Sequence, residues 1–347
     1  MRFRTLAIAA ACLTATVGSL AAQGKPRVHI IATGGTISNL GGNARRTGDE
    51  LVAAIPALAN VAQVTVEQFS NIPSGAITHD NWRAIAGRIA ALSKEPNAPA
   101  GFVITHGTDT MEETAYFLDL VTPGCTPIVL TGAMRQANAV GADGPANLLN
   151  AVRIAAAPQS RNHGVLLALN DEIFRARDVT KSDASRMDAF TAPNVGPVGV
   201  ADPDSVAFFR QPSVPSCRAR FDIAALPELP RVDIIYSHIG ADSVLIDAAV
   251  AAGAKGLVIA GVGRGGMTPP QARALRRAVD RGVYVVVSTR TGSGRVAQTF
   301  NADTGRVGRG AYIPAQELNV QKARILLMLA LGAGYDAPRI SALFRAM

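Results

Sequence analysis

The stretch Val28-His-Ile-Ile-Ala-Thr-Gly-Gly-Thr-Ile-Ser38 starts as a short β-branched strand and runs into a glycine-rich polar turn. The pattern returns where the strand Phe102–Thr105 runs into the turn His106-Gly-Thr-Asp-Thr110. Helical patterns such as Met111–Val121 lie between the strands. Strands that alternate with helices in this way are typical of βαβ units, so the sequence predicts an α/β fold around a parallel sheet.

The alternation continues to the end of the chain and predicts two domains. We predict strands at Val28–Ala32, Phe102–Thr105, Ile128–Thr131, Val165–Leu169, Val232–Tyr236, Leu257–Ala260 and Val283–Ser288. We predict helices at Asn81–Leu92, Met111–Val121, Asp242–Ala252, Pro270–Arg281 and Val320–Leu331. The proline-rich segment 203–230 lacks a helical period and predicts a linker. It would join a larger N-terminal parallel-sheet domain, residues 25–202, to a smaller C-terminal α/β domain, residues 231–347.

The composition is that of a globular protein. Hydrophobic residues make up 48% of the 347 residues and charged residues 17%, which excludes disordered and collagen-like chains. Aromatic residues make up 5%, too few for the stacking platforms that bind single-stranded nucleic acid. The net charge of +8 is spread along the chain without a basic run, so we expect a solvated basic surface and no nucleic-acid partner.

The first two dozen residues have the pattern of a secretory signal. Arg2 and Arg4 form a short positive region, Leu6–Leu20 is apolar and rich in alanine, and Ser19–Ala22 supplies small residues for cleavage. We therefore predict a signal peptide at residues 1–24 and a mature protein that is periplasmic or secreted. No later segment approaches the about 18 continuous apolar residues of a membrane span, so we expect no membrane partner.

Removal of that signal would leave two cysteines, Cys125 and Cys217. Export permits a disulfide between them, but they lie far apart in the sequence and we expect free thiols. The five histidines stand singly, and neither a Cys-x-x-Cys nor a His-Glu-x-x-His pattern occurs. We expect no metal and no cofactor.

Polar side chains follow the predicted N-terminal strands at their carboxyl ends. Ligands bind outside the carboxyl ends of parallel strands, so the polar groups of Thr33–Ser38 and His106–Thr110 are expected to converge. Gly34 and Gly35 permit a tight turn whose N–H groups face a ligand, and we expect Gly107 to do the same. The first turn lacks the lysine and the spacing of a phosphate-binding loop.

Four segments occur together in one order along the chain. They are Thr33-Gly-Gly-Thr-Ile37, His106-Gly-Thr-Asp-Thr-Met-Glu-Glu-Thr114, Gly132-Ala-Met-Arg135 and Asp178-Val-Thr-Lys181. With Ala142-Asp-Gly-Pro-Ala-Asn147 and Asn319-Val-Gln-Lys-Ala-Arg324, they resemble the type II, periplasmic branch of the bacterial asparaginase/glutaminase family, from about Val28 to Met347. The resemblance implies hydrolysis of the side-chain amide of L-asparagine to aspartate and ammonia without metal or cofactor. It also implies a homotetramer built from close dimers.

The resemblance further implies a catalytic set of four residues. Thr36, the second threonine of its turn, is the implied nucleophile, and Thr108, Asp109 and Lys181 are its implied partners. A threonine hydroxyl attacks an amide only when a base or a bonded chain takes its proton. Lys181 must be neutral to act as that base, whereas a neighbouring Asp109 favours the charged form. Lys181 is therefore either a base or a group that positions Thr108 and a water.

The substrate-binding residues are also implied by the resemblance. Ser74 matches a serine that binds the α-carboxylate, and Ala133 matches a residue whose backbone carbonyl holds the amide nitrogen. Asp109 carries the charge expected to bind the α-ammonium group. The backbone N–H groups of Thr36 and Thr108 are expected to stabilise the oxygen that becomes negative.

Three departures from the family pattern concern affinity and substrate preference. No tyrosine lies between Thr36 and Leu51, where the type II pattern places one. Gly75 stands where the family often has glutamine, and Arg264 where an asparagine of the neighbouring subunit often reaches the site. A mixed glutaminase-asparaginase is therefore an alternative, since one methylene of substrate is worth about 1–3 kcal/mol of discrimination. A periplasmic amino-acid-binding protein without turnover is an alternative of a different class.

Overall fold

The computed structural model describes residues 24–211, 219–297, 299–300, 307–308 and 312–347, so the signal segment up to residue 23 and Cys217 lie outside it. The strands are β1 (Arg27–Gly34), β2 (Gln63–Ile72), β3 (Gly101–Thr105), β4 (Ile128–Thr131), β5 (Val165–Leu169), β6 (Glu172–Arg175), β7 (Thr180–Lys181), β8 (Phe190–Thr191), β9 (Gly199–Ala201), β10 (Val206–Phe208), β11 (Val232–Tyr236), β12 (Gly256–Gly261), β13 (Tyr284–Thr289), β14 (Thr299–Phe300), β15 (Val307–Gly308) and β16 (Tyr312–Pro314). The helices are α1 (Gly48–Ala53), α2 (Leu58–Val61), α3 (His79–Leu92), α4 (Met111–Val121), α5 (Gly144–Ala156), α6 (Val244–Ala251), α7 (Pro269–Asp280), α8 (Val320–Gly332) and α9 (Ala337–Arg345). Every strand and helix predicted from the sequence is confirmed, with bounds that differ by at most two residues.

The N-terminal domain is built on a sheet with the strand order β10-β9-β6-β5-β4-β3-β1-β2. The strands from β2 to β5 pair in parallel, whereas β6, β9 and β10 add antiparallel strands at the other end. The α/β fold class is confirmed, and the sheet is mainly rather than purely parallel.

Helices cover both faces of this sheet because alternate strand residues are apolar on both sides. In β3, Phe102 and Ile104 face the layer that contains α3 and α4, and Val103 faces the layer that contains α1, α2 and α5. Helix α3 begins at a capping box, in which the Thr78 hydroxyl accepts the Asn81 N–H and the Asn81 side chain accepts the Thr78 N–H. This cap and the buried faces fix the helices that lie beside the strand ends.

The C-terminal domain is a smaller parallel sheet in the order β11-β12-β13-β16. Its helices α6 and α7 cover one face, and α8 packs on the other face and also against α4 of the N-terminal domain. One apolar cluster therefore contains Phe117 of α4, Leu326 of α8 and Val258 of β12. Among the residues described, no helix combines the length and apolar character that crossing a bilayer requires.

The N-terminal sheet extends into the segment predicted as a linker. Strand β10 lies within residues 203–230 and pairs antiparallel with β9, and the Phe208 ring stacks on His163 at a centroid distance of 4.1 Å. The prolines on either side hid this three-residue strand, because they interrupt any longer pattern.

The expectation of free thiols is wrong for Cys125, which is disulfide-bonded. The other two cysteines of the chain, Cys12 and Cys217, both lie outside the described residues. Sequence separation was a poor guide here, because disulfide formation depends on the distance between the two Cα atoms in the folded chain.

Candidate active site

The crevice between β1 and β3 lies where the connections of the N-terminal sheet change direction. The chain leaves β1 towards β2 on one side and leaves β3 towards β4 on the other, which makes this pair of strands the switch point of the sheet. The turn Thr36–Ser38 follows β1, and the turn Thr108–Thr110 follows β3. Both predicted polar turns therefore open into one crevice.

Backbone contact between the two turns requires glycine. Gly35 has a positive φ of 86°, and a Cβ placed on it would lie 2.4 Å from the Cα of Gly107. Gly107 itself has an ordinary extended backbone with φ −69°, which differs from our expectation of a glycine-specific turn. A Cβ on Gly107 would lie 2.9 Å from the Ser74 side chain, so lack of space explains this glycine.

Three of the predicted catalytic residues are in direct contact. The Lys181 ammonium donates to the Thr108 hydroxyl oxygen at 3.0 Å and to an Asp109 carboxylate oxygen at 2.6 Å. The Lys181 side chain is 13% exposed, whereas that of Asp109 is 80% exposed and open to a ligand. Because the ammonium donates to its oxygen, the Thr108 hydroxyl can donate its own proton to a water or to substrate.

The predicted α-carboxylate ligand, Ser74, lies beside this cluster. It is buried against Gly107, and its carbonyl accepts a hydrogen bond from the Thr110 hydroxyl at 2.9 Å. The next residue, Gly75, faces open space, since a Cβ placed there would meet no atom within 4 Å. The absence of a side chain at Gly75 therefore leaves room next to Ser74.

The loop that carries Ala133 is held by two residues to which sequence reasoning gave no role. The Asp143 carboxylate accepts the N–H groups of Met134 and Arg135, both at 2.9 Å. The Asn147 amide donates to the Gly132 carbonyl at 3.0 Å. Ala133 is thus fixed from both sides. Both residues belong to the segment Ala142–Asn147, which contributes to the family resemblance.

The segment after Thr36 folds back as a bonded turn. Thr36 is half-buried, the Arg46 N–H donates to the Ser38 carbonyl at 2.7 Å, and Asn39 pairs with Arg45 across the turn. Arg45 and Arg46 are half-buried, and neither is assigned the role of the missing tyrosine. In the second domain, Arg264 is exposed on the turn after β12.

A chain of buried hydrogen bonds runs from Trp82 to Gly107 and supports the Thr108–Thr110 turn. The Trp82 indole N–H donates to the Thr114 hydroxyl at 2.8 Å, and Thr114 lies 2.9 Å from Nε2 of His106. Nδ1 of His106 lies 2.7 Å from the Gly107 carbonyl, which only accepts, so Nδ1 carries the proton and Nε2 accepts from Thr114. Burial lowers the pKa of His106 to about 4, which agrees with this neutral ring.

This histidine makes stability depend on pH. The unfolded chain has the ordinary pKa of 6.5 and binds more protons than the folded chain between pH 6.5 and about 4. Lowering the pH through this range should therefore reduce the free energy of unfolding, by about 3 kcal/mol for this group. Urea unfolding at pH 7, 6, 5 and 4 measures the slope, and His106→Gln should flatten it. An identical slope in that variant would contradict the assignment.

No metal site accompanies this cluster in the part of the chain that the structure describes. There, no three His, Cys, Asp or Glu side chains lie close enough together to hold a metal ion. The groups available for chemistry are hydroxyls, a carboxylate, an ammonium group and backbone amides, which suit acyl transfer from an amide.

Comparisons with known proteins match most of the chain. The family model described as "Asparaginase, N-terminal" matches residues 27–214, and "Glutaminase/Asparaginase C-terminal domain" matches residues 231–344. "L-asparaginase 2" of Bacillus subtilis is 40% identical over 344 residues, covering 95% of this chain and 90% of the relative. "Probable L-asparaginase periplasmic" of Haemophilus influenzae is 40% identical over 328 residues and covers 92% of each chain. The crystal structure of "Probable Cytoplasmic L-asparaginase" from Campylobacter jejuni superimposes with a TM-score of 0.85 at 40% identity, covering 92% of this chain and 99% of that one.

Proposed function

Because the chain belongs to the bacterial type II asparaginase family, we propose that it hydrolyses the side-chain amide of L-asparagine to L-aspartate and ammonia, with Thr36 as nucleophile. The observation that carries the proposal is the contact of Lys181 with Thr108 and Asp109. Thr108 and Asp109 lie on the turn that meets the Thr36 turn through Gly35 and Gly107. The reaction needs no group beyond these side chains, backbone amides and water.

The proposed reaction has two acyl-transfer steps. The Thr36 hydroxyl oxygen attacks the amide carbon, and the C–N bond breaks as the nitrogen leaves as ammonia with the proton of that hydroxyl. A water then cleaves the acyl ester on Thr36 and releases aspartate. In this proposal the Thr108 hydroxyl, which accepts a hydrogen bond from Lys181, orients that water.

Substrate is held at both ends in this proposal. The Ser74 hydroxyl binds the α-carboxylate, the exposed carboxylate of Asp109 binds the α-ammonium group, and the Ala133 carbonyl accepts from the amide nitrogen. The bonds of Asp143 and Asn147 to the loop keep that carbonyl in place. Fixed polar groups of this kind select the orientation of the bound substrate as well as its chemical identity.

Replacing Asp109 with alanine should raise KM by about 10-fold or more and also lower kcat, because the variant loses a charged hydrogen bond to substrate and a partner of Lys181. Steady-state kinetics with asparagine measures both constants. Asp109→Asn serves as the matched control, since it keeps the shape and loses only the charge. An unchanged KM in both variants would argue against a role in ammonium binding.

Ammonia release by the purified protein tests the function directly. Asparagine and glutamine are assayed side by side, with Thr36→Ala as the blank. Release from asparagine that disappears in the variant is the expected result. Binding of asparagine without any ammonia would instead favour the binding-protein alternative.

A mixed glutaminase-asparaginase is the second candidate, because Gly75 offers no side chain beside Ser74 with which to contact and select the substrate. Glutamine is longer than asparagine by one methylene group, a difference that is worth about 1–3 kcal/mol of discrimination. Comparable kcat/KM values for the two amides would establish the mixed activity.

We also propose that the protein is a homo-oligomer, expected to be a tetramer. Five exposed apolar residues lie near the ends of two neighbouring strands: Tyr236 ends β11, Ile239, Val244 and Leu245 follow it, and Val262 follows β12. Ile239 is fully exposed. Exposed apolar side chains concentrated near the carboxyl ends of neighbouring strands are typical of a protein interface. A second copy of the chain would cover them. Light scattering should show an assembly, and a stable, fully active monomer would reject the proposal.

We propose that the protein is exported to the periplasm or secreted. The named relatives include a periplasmic and a cytoplasmic protein, so location depends on the predicted signal segment. Mass spectrometry of protein from the periplasm should find a new N-terminus near Ala22–Lys25, and an intact Met1 would defeat the signal-peptide interpretation.

We propose the domains as residues 25–202 and 231–347, with β10 of the first sheet inside the connecting segment.

A further inference from the structure

Three consecutive residues that end at Lys181 are held by buried groups from two other elements. Glu112, in the first turn of α4, accepts the Thr180 hydroxyl at 3.0 Å and the backbone N–H of Lys181 at 3.3 Å through one carboxylate oxygen. Glu112 lies two residues after the Thr108–Thr110 turn and is buried. Its carboxylate therefore links the backbone of Lys181 to the turn that carries Thr108.

The second carboxylate oxygen of Glu112 faces the C-terminal domain. It accepts the side-chain amide of Asn319 at 2.8 Å and lies 3.6 Å from the ammonium nitrogen of Lys322. Lys322 also donates to the carbonyl of Val179, two residues before Lys181. Asn319 is the N-cap of α8, and its oxygen accepts the Lys322 N–H at 3.0 Å. The start of α8 thus reaches the segment that carries Lys181.

The ion pair of Lys322 and Glu112 is almost completely removed from solvent, with side chains 2% and 5% exposed. Burial lowers the pKa of Lys322 to about 8, and the charge of Glu112 opposes that shift. A buried pair of this kind is a costly way to gain stability, because both charges lose their hydration. Its bonds to Val179, Thr180 and Lys181 indicate that the pair positions this segment of the backbone.

We infer that Glu112 and Lys322 are positioning residues for the proposed amide hydrolysis, and that they hold Lys181 on the Thr108 hydroxyl from across the domain boundary. The inference rests on the proposed function and adds the C-terminal domain of the same chain to the control of the site. Strand β7 has two residues and, among the strands that the structure describes, pairs only with the equally short β8. The sheet therefore contributes little to the placement of Lys181.

Lys322→Met tests the inference, because methionine keeps an unbranched side chain and removes the ammonium group. We expect kcat to fall by about 10- to 100-fold with KM within about threefold of the wild-type value, since small misplacements of catalytic groups have effects of this size. Arg324→Met is the matched control. Arg324 lies on the same helix and donates to the Val232 carbonyl at 2.9 Å, away from the site, so its kcat should be unchanged.

Asn319→Ser is a milder variant in case Lys322→Met does not fold. Serine still caps α8 but loses the amide donor to Glu112. Its kcat should fall by about 3- to 10-fold, as expected for a smaller displacement of the same segment. A loss of thermal stability without any change in kcat, in both variants, would show that the cluster is only structural and would overturn the inference.

A readout independent of activity separates this inference from the proposed function. The chain has five lysines, so protein labelled with 13C at lysine Cε gives few signals, and Lys181→Arg assigns the one of interest. The Lys181 signal should move in Lys322→Met and Asn319→Ser and stay in place in Arg324→Met. If it stays in place in all three, the inference fails even where asparagine is hydrolysed. If it moves and the wild-type protein releases no ammonia, the proposed function alone fails.

Discussion

Replacing Thr36 with alanine is expected to lower kcat for asparagine by at least ~1000-fold, the scale for removing a nucleophile. Thr36 is half-buried in a short turn after β1, and its hydroxyl is not part of the apolar core. The fold should therefore survive the change. Steady-state ammonia release measures kcat, and thermal unfolding of the same sample checks the fold.

Thr36→Ser is the matched control for this result. Serine keeps the attacking hydroxyl and removes only a methyl group, so the variant should retain far more activity than Thr36→Ala. A Thr36→Ala protein with kcat near the wild-type value would refute the nucleophile assignment. Equal, severe losses in both variants would instead point to packing of the threonine methyl group.

Thr108→Ala should produce a loss of similar size, at least ~1000-fold in kcat, because tightly coupled catalytic groups have effects close to that of the nucleophile. The variant removes the oxygen that accepts the Lys181 ammonium at 3.0 Å and leaves Lys181 with Asp109 alone. Kinetics with asparagine over a range of concentrations separates the loss in kcat from any change in KM.

The control for Thr108 is again serine, which restores the hydroxyl on the same turn. Thr108→Ser should recover most of the lost activity. If Thr108→Ala kept a wild-type kcat, the contact between Lys181 and Thr108 would have no role in catalysis. The positioning role inferred for Glu112 and Lys322 would then lose its target.

The strands that frame the site were predictable because their signal is local. Five consecutive residues of β3 are buried, and the polar turn follows at once, so apolar run and turn are adjacent in the sequence. Strand β2 was missed although Val64 and Val66 alternate with polar residues. As the edge strand of its sheet it is only half-buried, and its polar second half obscured the alternation.

The contacts of the site were less accessible to sequence reasoning. Thr108 and Lys181 are 73 residues apart, and only the family resemblance brought them together. Glu112 and Lys322 are separated still further, and charged residues are ordinarily expected at the surface. Their burial depends on the packing of α8 against α4, which the pattern of either helix alone does not specify.

The apolar cluster shared by α4, α8 and β12 packs the two domains against each other. We expect heat to unfold the described chain in one transition rather than domain by domain. A fragment that ends before β11 would expose the face of α4 that now packs on α8, and it would lose the start of α8 that contacts Glu112. Catalytic competence would then appear only once α8 had been synthesised and had docked on α4.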